Sequence, residues 1–166
     1  MNSKPQVILY RGLPGCGKTY SIQQWMLSLK LHPNDPAPRV FSADFFFQKN
    51  GKYEFDYRKI GEAHAWCYRQ FLDMIIPFDD EIGENISHLV IDNTNICAFE
   101  MAPYIQAANA YGLVHEIRTI WSDPVVAAKR NVHNVPATTI FRMYTTLLNE
   151  QLPPFWNHKL ILPTEN

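Results

Sequence analysis

Residues 12–19 read GLPGCGKT, a G-x-x-x-x-G-K-S/T spacing whose residue types suit one task, holding a polyphosphate. Gly12, Gly15 and Gly17 let successive backbone N–H groups turn inward. A helix beginning near Lys18 adds the positive end of its dipole to that cradle. In such a loop Lys18 reaches the β- and γ-phosphates of a bound nucleotide, ATP being the one expected, and the Thr19 hydroxyl completes a Mg2+ site. Cys16 has two readings: a thiol activated at a helix N-terminus, or a small residue tolerated within the cradle.

Phosphoryl transfer also needs carboxylates and a second cation. Asp92 ends the apolar run HLVID, the placement expected of a group that holds magnesium directly or through its water, although the following NTN is also turn chemistry. Asp44, in FSADFFF, follows another apolar run and is the candidate to take a proton from an attacking hydroxyl; its alternative is a helix N-cap. Lys129 and Arg130, in AAKRN, are candidates to approach the phosphates from the far side, against the alternative of a solvated basic face.

These side chains need strands that end at a common edge. Apolar runs at 6–10, 39–42, 88–92 and 113–121, with a weaker one at 159–162, read as buried strands. Amphipathic stretches at 18–31, 58–76, 97–111, 123–133 and 137–150 read as helices between them. The alternation predicts an α/β fold: a parallel sheet of about five strands with helices on both faces. In such sheets ligands collect at the carboxyl ends of the strands, where the P-loop, Asp44 and Asp92 all fall. Gly112, the SDP at 122–124 and Pro136 punctuate the helices, LHPNDPAPR (31–39) is a broken connection, and PFDDEIGENIS (77–87) reads as an acidic surface loop.

At 166 residues the chain is expected to be a single domain, 1–166. Apolar residues at 46% and charged residues at 19% exclude a disordered or fibrous class, and a net charge of −1 excludes a broadly basic nucleic-acid coat. The three cysteines fit no metal-ligand spacing, and no apolar run reaches the length of a membrane span. The expectation is a soluble, cytoplasmic protein with no membrane partner.

Taken together, RGLPGCGKT, FSADFFF, VIDNTN, AAKRN and VPATTIFRMY resemble the P-loop kinases related to the kinase domain of phage polynucleotide kinase. With DYRKIGEAHAW and FEMAPYIQAA added, the chain is more similar still to the ubiquitin-ligase-binding P-loop kinase-like proteins, over nearly its whole length. The resemblance implies a P-loop NTPase/kinase fold with a helical lid, Asp44 as general base, and Arg130 as a lid arginine that clamps the donor phosphates. It also implies transfer of the γ-phosphate of ATP to a hydroxyl of a nucleic acid, most simply its 5′ end. Some positions depart from the phage pattern: Ala43 and Phe47 stand where that enzyme has arginines, and NVHN (131–134) replaces the second lid arginine. His133 follows the ubiquitin-ligase-binding relatives instead.

The acceptor side is expected in DFFFQKNGKYEFDY (44–57). Its aromatic residues surround an Asn50–Gly51 turn flanked by Lys49 and Lys52, a composition suited to stacking a base while holding a phosphate, or to packing a flap. Phe45 and Phe46 are the candidate stacking rings, and Arg69 on the 58–76 helix is a candidate phosphate contact or a surface ion-pair residue. A kinase of nucleic-acid 5′ ends is the leading reading. The others are a kinase of hydroxymethylated bases within DNA, a nucleoside or other small-molecule kinase, and a nucleotide-dependent binding module.

Overall fold

The computed structural model describes residues 4–75 and 86–162. Five parallel strands form the main sheet: β1 (Gln6–Arg11), β2 (Ala37–Phe41), β5 (Ile86–Asp92), β6 (His115–Ile120) and β7 (His158–Ile161). They lie in the order β2-β5-β1-β6-β7, with β1 at the centre. A separate antiparallel hairpin, β3 (Gln48–Lys49) with β4 (Lys52–Tyr53), stands apart from it.

Alternation along β1 divides the interior. Val7 and Leu9 point to the face covered by α2 (Ile60–Ile75) and α3 (Ala98–Ala110), where Ala63, Cys67, Phe71 and Ile75 form a buried stripe four residues apart. Ile8 and Tyr10 point to the other face, covered by α1 (Lys18–Ser28), α4 (Pro124–Arg130) and α5 (Ala137–Asn149). Both sides of β1 are fully buried, so each of its large apolar side chains contributes on the order of 2 kcal/mol.

The expected elements are present, with ends moved for local reasons. The helix read over 123–133 stops at Arg130, because Asn131 turns extended and its side chain bonds the next loop instead of the helix. Its start is as read: Asp123 Oδ1 accepts from the N–H groups of Val125 and Val126, and Pro124 takes the first helical position. The helix read to residue 31 ends at Ser28, and Lys30 adopts a left-handed φ of 49°. Most of the acidic stretch 77–87 lies outside the described residues, but Ile86 and Ser87 belong to β5 and not to a loop. Among the described residues no helix is long and apolar enough to cross a membrane.

Candidate active site

The P-loop leaves β1 and ends in α1, so the loop and the helix terminus both lie at the carboxyl edge of the central strand. Its shape depends on Gly15. At φ +79° this residue takes a conformation that side chains resist, and a Cβ there would lie 2.8 Å from Asn131 N and closer still to the carbonyl oxygen of Ala127. The loop therefore packs directly on the end of α4. Lys18 is buried, and its ammonium donates to the carbonyls of Gly12 (3.1 Å) and Leu13 (3.0 Å).

The loop after β5 is stitched to this cradle by asparagines. Asn95 Nδ2 donates to the Tyr10 carbonyl (2.7 Å), Gly12 N donates to Thr94 O (2.9 Å), and the buried Arg11 guanidinium donates to Ile96 O (2.7 Å). Asn93 Oδ1 accepts from Ala43 N (2.9 Å), which fastens the end of β2 to the end of β5. The NTN segment is thus a brace, and Asp92 is left free of capping duty. Its Oδ2 accepts from the Thr19 hydroxyl at 2.7 Å. Burial pushes the Asp92 carboxyl above its ordinary value, opposed by the Lys18 charge and the Thr19 hydrogen bond.

Asp44 is not the N-cap of its short helical turn (Ala43–Phe47). That place belongs to Ser42, whose hydroxyl accepts from Asp44 N at 3.3 Å. The freed carboxylate is flanked by two side chains not paired with it from sequence, Tyr53 of the expected acceptor segment 44–57 and His133. Tyr53 donates its hydroxyl to Asp44 Oδ1 at 3.0 Å, and His133 Nε2 lies 3.6 Å from Oδ2. Burial of the phenol, then the charge and acceptance of Asp44, push the Tyr53 pKa up, so the hydroxyl keeps its proton and remains a donor. The Tyr53 and His133 rings stand 5.2 Å apart.

The remaining expected residues lie in separate settings. Arg130 ends α4 next to the P-loop contact at Ala127 and Asn131, with its side chain exposed. Phe45 is exposed and borders a groove of about 450 Å³ that Phe41, Trp66, Gln70, Asp73 and Met74 also line. Phe46 does not line the groove; it is partly buried and packs on Phe47 at 5.3 Å and Trp66 at 6.2 Å, so it serves the flap's packing. Arg69 does not line the groove; it projects from the exposed side of α2, away from the Ala63–Cys67–Phe71–Ile75 stripe. Cys16 is buried against the α1, α4 and α5 side of the core, and burial pushes its thiol pKa up, which favours the reading of a small residue tolerated within the loop.

Tyr53 and His133 were missed as site residues because each lies in a segment without periodicity. A hydroxyl nine residues from Asp44, across an Asn-Gly turn, was the available signal for the first. Nothing in spacing marks the second.

A parallel sheet in this order, with a glycine-rich loop of P-loop spacing at the end of its central strand, defines a P-loop kinase-like fold. No family model matches the chain. Its sequence is 35% identical over 141 residues to NEDD4-binding protein 2 of Homo sapiens, covering 82% of this chain but only 7% of that protein. Among solved structures it resembles the APS kinase CysC of Mycobacterium tuberculosis, with a TM-score of 0.57, 13% identity, 98% of this chain and 91% of that one. It also resembles a chain of the Pnkp1/Rnl/Hen1 complex, with a TM-score of 0.54, 14% identity, 82% of this chain and 42% of that one. The resemblance read from the motifs thus holds in sequence for the first relative and in fold for the P-loop kinases.

Proposed function

We propose that the protein is an ATP-dependent kinase that transfers the γ-phosphate to the 5′-hydroxyl of a DNA or RNA strand. The observation that carries this reading is Asp44: a carboxylate relieved of capping, hydrogen-bonded on one oxygen and faced by an imidazole 3.6 Å from the other, on the strand edge shared with the P-loop. Phosphoryl transfer asks for positioning and charge neutralisation more than covalent chemistry. Lys18 and the P-loop amides hold the phosphates, Arg130 closes from the α4 side, and Asp44 takes the proton from the acceptor hydroxyl as the acceptor oxygen bonds to the γ-phosphorus and the bond to the β–γ bridging oxygen breaks, ADP leaving.

The hydroxyl of Thr19 and the carboxylate of Asp92 are hard oxygen donors and fit Mg2+. Among the described residues there is no group of three His, Cys, Asp or Glu that could form a cage, and Mg2+ is commonly shared between one or two protein oxygens, water and substrate phosphates. When bound, the ion neutralises charge on the phosphates.

A polynucleotide acceptor is favoured by the hairpin beside Asp44. Asn50 and Gly51 both have positive φ, 50° and 78°, the tight turn that sets Lys49 opposite Lys52. Like charges directly opposed destabilise a strand pair, and among the described residues neither ammonium meets a carboxylate within 4 Å. A phosphodiester would offset that repulsion. Tyr53 and Phe55, stacked at 6.4 Å with planes 10° apart, expose aromatic surface alongside. The resemblance to CysC and the groove beside Phe45 favour a second reading, a small hydroxylated acceptor such as a nucleoside.

The test offers γ-labelled ATP and Mg2+ with 5′-hydroxyl DNA and RNA, 5′-blocked strands and free nucleosides. Label confined to open 5′ ends supports the first reading, label on nucleosides alone the second, and label on blocked strands moves the acceptor to a base. Asp44→Asn should lower transfer by about 10² to 10⁴-fold while ATP still binds. An unchanged rate would remove Asp44 as the base.

A further inference from the structure

Three contacts run from the nucleotide cradle to Asp44. Gly15 packs on the backbone of Asn131, the residue immediately after α4. The Asn131 side chain then clips the following loop, its Oδ1 accepting from His133 N at 3.1 Å and its Nδ2 donating to Val135 O at 2.9 Å. Asn134, at a left-handed φ of 54°, completes the turn. The clipped loop presents the imidazole to Asp44 Oδ2 and to the Tyr53 ring.

The ion-pair geometry is poorly suited to a stabilising role. At 3.6 Å, with 38% and 46% of the two side chains exposed, the pair adds little to folding. Its effect on orientation is larger. The terminal torsion of an aspartate is broad and two-fold, so one hydrogen bond from Tyr53 leaves the carboxylate free to swing. His133 Nε2, 3.6 Å from the other oxygen, limits that swing, and a misplacement of about 1 Å in a reacting pair costs on the order of 10²-fold in rate.

We propose that His133 is a positioning residue that acts through Asp44, and that its loop ties the setting of this base to the packing of the ATP cradle. The proposal rests on the reading of Asp44 as the base, and the experiment separates the two. Single-turnover transfer from γ-labelled ATP to a 5′-hydroxyl oligonucleotide is measured for His133→Ala and His133→Gln, alone and combined with Asp44→Asn. Melting temperature and the KM for ATP are followed in parallel.

His133→Ala should slow transfer by about tenfold to a hundredfold with the melting temperature and the KM for ATP unchanged. His133→Gln, which keeps a donor, should recover part of the rate. In the Asp44→Asn background His133→Ala should have no additional effect, because its route to the reaction is already cut. Equal loss in both backgrounds, or no loss from His133→Ala where Asp44→Asn abolishes transfer, would overturn the positioning role alone. Full activity of Asp44→Asn would overturn the base and this proposal with it.

A readout independent of any acceptor uses the imidazole resonances of His133. Asp44→Asn, and separately a non-hydrolysable ATP analogue, should each shift them in a protein whose other histidines stay put. Resonances indifferent to both would defeat the link whatever the acceptor proves to be.

Discussion

The proposed donor and acceptor halves of the site are built differently. The donor half is largely buried and braced mostly through backbone groups: Lys18 is held by two carbonyls and the loop behind it by Asn93, Asn95 and Arg11, while the exposed Thr19 hydroxyl holds Asp92. The acceptor half is exposed, with Asp44 held by side chains alone and its hairpin formed from two strands of two residues each. The difference teaches where each half can tolerate change. On the proposed reading the cradle binds one polyphosphate in one geometry and is served by rigidity, whereas a hairpin this short can move to admit an acceptor.

The sharpest way to break this contrast is to put a methyl group into the rigid half. In Gly15→Ala the new Cβ would collide with the Ala127 carbonyl at a φ of +79°, and either the P-loop or the end of α4 must move. Expected is loss of measurable ATP binding by calorimetry together with a lower melting temperature, since strain at such a position costs about 1–3 kcal/mol before the collision is counted. Wild-type affinity would mean that the cradle is not held as the packing implies.

The opposite half should respond in the acceptor and leave ATP alone. Lys49→Glu with Lys52→Glu should raise the KM for a 5′-hydroxyl oligonucleotide about tenfold or more and leave the KM for ATP unchanged. The salt dependence is the more specific measure: removing two phosphate contacts to a single strand should make the slope of log K against log salt shallower by about 1.4. An unaltered slope would return the lysines to the role of a solvated turn.

The same contrast governs how much could be read in advance. The donor half was legible because a phosphate cradle requires particular residues at fixed spacing between a strand and a helix, and GLPGCGKT meets that requirement locally. Five strands and five helices were legible from periodicity, with their ends shifted by capping that periodicity does not register. The bracket on Asp44 was not legible. Tyr53 reaches it through the hairpin and His133 from 89 residues further along the chain, and such long-range contacts leave no local pattern. The NTN segment carried its signal in the open, but turn chemistry and bracing use the same residue types, and only the partners Ala43 N and Tyr10 O tell them apart.

The smallest effects concern the two adjacent phenylalanines and Arg69, and they separate packing from contact. Phe46 rests on Phe47 and Trp66, so Phe46→Ala should cost about 2 kcal/mol in denaturant unfolding, below the value for a fully buried ring because this one is partly exposed. Phe45 lies on the groove wall with 42% of its surface exposed, so Phe45→Ala should leave stability within about 0.5 kcal/mol of wild type. Its mark should instead be a several-fold rise in acceptor KM, at most that of one lost base stack, about 1–3 kcal/mol. Arg69→Ala, on the outer side of α2, should change neither quantity. If Arg69→Ala weakened the acceptor while Phe45→Ala did not, the acceptor would have to cross the outer surface of α2 and bypass the groove, and the hairpin could no longer be its guide.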